Sequence, residues 1–287
     1  MSRVFDALQQ SELERTGQVV PKTEAAVPSV MLQRVESSFG LSQTTVIQPN
    51  ITSESRLVAV TDDGSLSAEK YRVLATRLNH LQQQRPIKKL VITSASSQEG
   101  KSVTSCNLAL TFAKRMNKRV LLIEGDLRQP AVANLLGVIP QKGISEWFSK
   151  GHPVSECLFH VADLPLWILP AGDPPEHPLD ILQSDRVPEM LNQFMAWFDW
   201  ILIDSPPILP MADLALWSRQ SDGLIMVVRQ DHTPKKFIAK AMDAIEKSKL
   251  LGVVFNEGTE SHHRVYLNYY NNILKKKQQQ RESESKG

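Results

Sequence analysis

The sequence runs to 287 residues, 41% of them hydrophobic, with 33 basic and 31 acidic side chains for a net charge of +2. That much apolar material excludes a wholly disordered chain and can build a core. So slight a charge excess argues against a nucleic-acid partner held by phosphate attraction. The opening MSRVFDALQQSELER has no apolar segment of a secretory signal, no apolar run is long enough to span a bilayer, and only Cys106 and Cys157 occur. A cytoplasmic location is therefore expected.

Residues 1–15 read as a short helix with Val4, Phe5, Leu8 and Leu13 on one side, either a docking element or a segment packed on its own domain. Residues 16–55 are rich in Ser, Thr, Gln and Pro without a sustained period, which predicts a linker. A domain is expected over 56–260. It opens with a helix capped by Ser67 and carrying Tyr71, Leu74, Leu78 and Leu81 at helical spacing. Strands are then expected at 89–93, 119–124, 167–170, 200–204, 223–229 and 252–256. They alternate with helices at 102–116, 130–136, 179–183, 187–197, 212–217 and 234–247. Near-continuous apolar strands such as VLLI and WILI suit a sheet buried on both faces. The expected fold is doubly wound α/β, mostly parallel, of the P-loop NTPase type, with a polar tail over 261–287.

The most informative stretch is Leu90-VITSASSQEGKSVTSCNLALTF, a strand running through small residues into Gly100-Lys101-Ser102 and a helix. Backbone N–H groups of Ser97, Gln98, Glu99, Gly100, Lys101, Ser102 and Val103 are placed to wrap phosphates at a helix N-terminus. Lys101 would reach the β- and γ-phosphates, and the Ser102 hydroxyl would ligate Mg²⁺. Ala95 stands where the usual loop has its first glycine.

Two further strands end in carboxylates: Val120-LLIEGDLRQP gives Glu124, Asp126 and Arg128, and Trp200-ILIDSPP gives Asp204. Ligands of open α/β sheets bind beyond the carboxyl ends of the strands, so these acids can converge on Lys101. Any one such Asp is as readily the cap of the next helix. Three motifs in this order predict a nucleotide-phosphate site.

Together these residues resemble the bacterial tyrosine kinase family, the P-loop autokinases of capsule and exopolysaccharide synthesis. Thr93-SASSQEGKS resembles its Walker A, Glu124-GDLRQP its Walker A′ and Asp204-SPP its Walker B, and Leu169-PAGDPPEHPLDIL is similar to the intervening segment. The helix through Glu69, Tyr71, Arg72 and Leu74 resembles the family's oligomerisation helix, with Arg77 kept and Ala75 where a second arginine is common. The start, MSRVFDAL, is similar to stand-alone autokinases of exosortase-linked systems. Ser97 and Gln98 replace the usual Pro-Gly. Glu124 replaces the first Asp of Walker A′, so that Glu124→Asp is expected to keep or raise activity.

The resemblance implies an ATP- and Mg²⁺-dependent protein-tyrosine autokinase. Lys101, Asp126, Asp204, Glu124 and Arg128 would be catalytic, and Ser102, Asp126 and Asp204 would hold the metal. Tyr266, Tyr269 and Tyr270, three of the four tyrosines in the chain, would accept phosphate in trans. The alternative for this cluster is packing on the domain. An inner-membrane polysaccharide co-polymerase, a cognate tyrosine phosphatase and self-association are the implied partners, with the chain held peripherally at the inner membrane. The rivals are an ATPase switch of the partitioning and cell-division type, which would carry a lysine where Ser96 stands, and a catalytically weakened nucleotide-binding scaffold. His262 and His263 read as a solvated loop, and Trp197, Trp200, Trp217 and Cys106 as core.

Overall fold

The computed structural model describes residue 41, residues 44–209 and residues 213–258. The expected helix at 1–15, His262, His263, the tyrosine cluster and the tail at 261–287 lie outside the described residues.

An eight-stranded sheet carries the fold, in the order β1-β4-β5-β3-β6-β2-β7-β8. The strands are β1 (Thr45–Ile47), β2 (Lys89–Ser94), β3 (Val120–Glu124), β4 (Phe159–Val161), β5 (Leu166–Leu169), β6 (Trp200–Asp204), β7 (Gly223–Arg229) and β8 (Leu250–Asn256). Every pairing is parallel except β4 with β5. The helices are α1 (Val58–Thr61), α2 (Leu66–Gln84), α3 (Lys101–Met116), α4 (Val132–Leu135), α5 (Ile144–Ser149), α6 (Pro178–Gln183), α7 (Arg186–Phe194), α8 (Asp213–Gln220) and α9 (Lys235–Ala244).

The apolar strands serve two cores because successive side chains point to opposite faces. Leu90, Ile92, Val120, Leu122, Trp200 and Leu202 join one core with Leu78 of α2 and Phe112 of α3. Val91, Leu121, Ile123, Ile201 and Ile203 join the other with Ile144, Leu191 and Trp217. Burial on both faces is why β2, β3 and β6 read as unbroken apolar runs. Trp200 stacks on Phe112 with ring centroids 4.7 Å apart, seating α3 against the sheet.

Two expectations change. The linker over 16–55 holds an ordered strand: β1 pairs with β4 from Thr45 to Ile47, so the sheet begins before residue 56. Three residues of β1 are too short to show a period against a polar background. Ser65, not Ser67, caps α2, its hydroxyl accepting the Ala68 N–H at 3.1 Å. The hairpin partner β4 and the short helices α1 and α5 lack a sequence signal for the same reason of length. The remaining strands and helices fall where the pattern put them, with ends displaced by a few residues.

Candidate active site

Strand β2 delivers the chain to residues 95–100, which turn into α3. Gln98 and Gly100 hold left-handed conformations (φ 63° and 89°), and a Cβ on Gly100 would collide with the Asn256 amide. Glu99, only 3% exposed, clamps this loop from within. Its carboxylate accepts the Ala95 N–H at 2.9 Å, the Ser96 hydroxyl at 2.9 Å and the Thr233 hydroxyl at 2.6 Å. Its carbonyl accepts the Asn256 side-chain amide at 3.0 Å. Ser97 and Gln98 are left exposed at the loop's crest, and Val103 follows in the first helical turn.

The neighbouring strand tips supply the acids. β3 and β6 run side by side with Glu124 opposite Asp204, while β6 also flanks β2. The Lys101 ammonium lies 2.9 Å from Asp126 Oδ2 and 3.8 Å from Asp204 Oδ2, and donates to Ser102 Oγ at 3.2 Å. Ser105, one turn into α3, donates its hydroxyl to Asp204 Oδ1 at 3.0 Å. The loop after Asp204 is tied back to β2 by the Ser205 N–H on the Ile92 carbonyl and the Thr93 hydroxyl on the Pro206 carbonyl.

Electrostatics follow from this packing. Burial opposes the Lys101 charge, but Asp204 and Asp126 together outweigh it, so the lysine pKa is raised and the ammonium is secure. For the fully buried Asp204, desolvation outweighs the attraction of Lys101, and its pKa is raised too. Asp204 Oδ2 is buried without a hydrogen-bond partner. A buried carboxylate oxygen with no hydrogen bond, beside a hydroxyl and a second carboxylate, is an all-oxygen donor set suited to Mg²⁺, which favours few protein ligands together with phosphates and waters. The residues present therefore fit the metal: Ser102, Asp126 and Asp204 would hold it.

Two of the expected catalytic side chains are engaged elsewhere. Glu124, 1% exposed, gives Oε1 to the Val132 N–H at 2.5 Å and Oε2 to the Ala171 N–H at 3.0 Å. Its longer stem serves the start of α4 and the segment after β5. Burial raises its pKa despite those two hydrogen bonds. Arg128 turns to Asp213, with Nε 3.0 Å from Oδ2. In α2, Arg72 pairs with Glu69 and Asp63 of the same chain, Arg77 is exposed, and Ala75 is fully buried. Asn256, Thr233, Ser105 and Asp213 escaped sequence reading because each lies far along the chain from, or on a different element to, the motif it serves.

A glycine-containing loop before a helix, a lysine between two strand-tip carboxylates and a parallel sheet define a P-loop nucleotide-binding protein. Residues 90–281 match the CobQ/CobB/MinD/ParA nucleotide binding domain family. The chain is 34% identical over 216 residues to the tyrosine-protein kinase YwqD of Bacillus subtilis, covering 75% of this chain and 90% of that protein. It is 30% identical over 205 residues to the tyrosine-protein kinase wzc of Salmonella typhi, covering 71% of this chain and 28% of that one. Among solved structures, the BceF tyrosine kinase domain superposes with a TM-score of 0.63 at 26% identity, covering 78% of this chain and 96% of that domain. The chain belongs to the bacterial tyrosine kinase family, and it is a protein-tyrosine kinase that uses a nucleotide phosphate donor.

Proposed function

We propose that this kinase transfers the γ-phosphoryl group of ATP, with Mg²⁺, to Tyr266, Tyr269 and Tyr270 of a neighbouring copy, and thereby regulates the chain length or export of a capsular polysaccharide or exopolysaccharide. The observation that carries this reading is the Lys101 ammonium held between Asp126 and Asp204 at the mouth of the phosphate loop.

The chain's own groups divide the work. Loop N–H groups and Lys101 bind the β- and γ-phosphates, and the loop, clamped by Glu99, does not need to reorganise to receive them. Once phosphate arrives, Lys101 exchanges a carboxylate partner for phosphate oxygens. Mg²⁺, when bound, neutralises charge on the transferring group. Asp126 orients the tyrosine hydroxyl and takes its proton at a carboxylate oxygen. The phenolic oxygen forms the new bond to phosphorus while the bond to the bridging oxygen of ADP breaks.

The partners follow from the resemblance; among the described residues no helix is long and apolar enough to cross a membrane. An inner-membrane polysaccharide co-polymerase would hold the otherwise cytoplasmic kinase at the membrane and activate it. A tyrosine phosphatase would reverse the modification, and self-association would bring the acceptor to a neighbour's site. The relatives being tyrosine-protein kinases favours this reading over an ATPase switch.

The test is incubation of the full chain with ATP and Mg²⁺, with and without the cytoplasmic segment of the co-polymerase, followed by mass spectrometry of residues 262–274. Phosphotyrosine that disappears in Lys101→Met supports the proposal. ATP turnover without phosphotyrosine under both conditions overturns it.

A further inference from the structure

Helix α8 holds the Asp126 loop in place from outside the nucleotide site. Trp217, 1% exposed, donates its indole N–H to the Gly125 carbonyl at 3.0 Å. The Gly125 N–H in turn donates to the Asp204 carbonyl at 2.7 Å. Both polar groups of the residue immediately before Asp126 are thus fixed, one by the β6 tip and the other by α8. The fit leaves no room for a side chain: a Cβ on Gly125 would lie 2.9 Å from the indole and 3.0 Å from the Asp204 carbonyl. One turn earlier on the same face of α8, Asp213, 1% exposed, accepts from Arg128 Nε at 3.0 Å and Nη2 at 3.4 Å. Residues 125 and 128 are therefore pinned on either side of Asp126, which itself accepts the Gln129 N–H at 3.1 Å.

We infer that Trp217 and Asp213 are positioning residues that aim the Asp126 carboxylate at the Lys101 and metal site, with Arg128 as the tie rather than a phosphate ligand. This rests on the reading of Asp126 as a metal-holding residue. An indole N–H aimed at a main-chain carbonyl is a directional restraint that apolar packing alone does not supply. The restraint acts on the geometry of the loaded site, where a misplacement of about 1 Å costs on the order of 100-fold in rate. It leaves the phosphate loop itself untouched, since that loop is clamped separately by Glu99 and Asn256.

Trp217→Phe keeps a buried aromatic ring and removes the N–H, and Asp213→Asn removes the charge facing Arg128. In the full chain, binding of a fluorescent ADP analogue is measured with EDTA and then across a Mg²⁺ titration, alongside tyrosine phosphorylation. The expected result is nucleotide affinity without metal within about twofold of wild type, a Mg²⁺ midpoint raised roughly tenfold, and kcat lowered roughly tenfold with KM for ATP held, as a displaced ligand predicts. A Mg²⁺ midpoint and kcat equal to wild type in a folded Trp217→Phe overturn the inference. If that variant does not fold, Asp213→Asn decides by the same criteria. Asp126→Asn is run in parallel: an unchanged Mg²⁺ midpoint there overturns the reading of Asp126 itself. Loss in Asp126→Asn with wild-type behaviour in Trp217→Phe overturns only the role of α8.

Discussion

The side-chain amide of Asn256 donates to the main-chain carbonyl of Glu99 across 157 positions of sequence. The last residue of β8 thus fastens the phosphate loop at the point where Gly100 turns into α3. Asn256→Ala removes that donor, and nucleotide affinity is expected to fall roughly fivefold to tenfold, the size of one lost hydrogen bond. Isothermal titration with ADP reads this directly. Affinity unchanged in a folded variant would show that the loop holds its shape without β8.

The two hydrogen bonds of Glu124 predict an effect on stability, distinct from the effect on activity expected from its place in the motif. Shortening the side chain in Glu124→Asp withdraws the carboxylate from the buried N–H groups of Val132 and Ala171. Leaving a buried donor unpaired costs about 1–3 kcal/mol, so thermal denaturation is expected to show a clear fall in Tm for Glu124→Asp. A variant as stable as wild type and more active would restore Glu124 to the catalytic group.

Asp204 gives a pH prediction. Its folded pKa is raised above the ordinary carboxylate value of 3.8, chiefly by burial. A raised value means the stability it contributes is present in full below that ordinary value and is lost as pH rises through the folded pKa. Asp204→Asn, which has an oxygen to receive the Ser105 hydroxyl, should therefore gain stability relative to wild type over the pH range that begins at the ordinary carboxylate value and rises from it. Phosphorylation should nevertheless be lost. Denaturant unfolding across that range checks the sign; a stability difference independent of pH would contradict it.

Replacing Tyr266, Tyr269 and Tyr270 together by Phe should abolish incorporated phosphate while leaving ADP affinity within about twofold, because nothing on the phosphate loop has changed. Phosphotyrosine persisting at Tyr71 would point to a different acceptor.

Much of this site was legible in the sequence because its parts sit at strand ends. The apolar runs VLLI and WILI announce buried parallel strands, and the residues that follow such strands must lie on one rim of the sheet. That rim groups Lys101, Asp126 and Asp204. For Glu124 and Arg128 a motif gives the rim and not the rotamer: the Glu124 carboxylate accepts two backbone N–H groups, and the Arg128 guanidinium donates to Asp213. Asn256, Thr233 and Trp217 carry no motif, and their roles arise only when β8, the turn after β7 and α8 pack against the loops. The edge strand β1 and its neighbour β4, three residues each, are shorter than any pattern that periodicity can detect.

On this geometry the tips of β2, β3 and β6 would enclose the terminal phosphate of a bound nucleotide. A crystal structure of the full chain with ADP and Mg²⁺ decides this. The β-phosphate is expected against Lys101 and the metal about 2.0–2.1 Å from the Ser102 hydroxyl oxygen, with Asp126 and Asp204 around it. A nucleotide bound with its phosphates away from Lys101, or a metal held without any of these three residues, would contradict it.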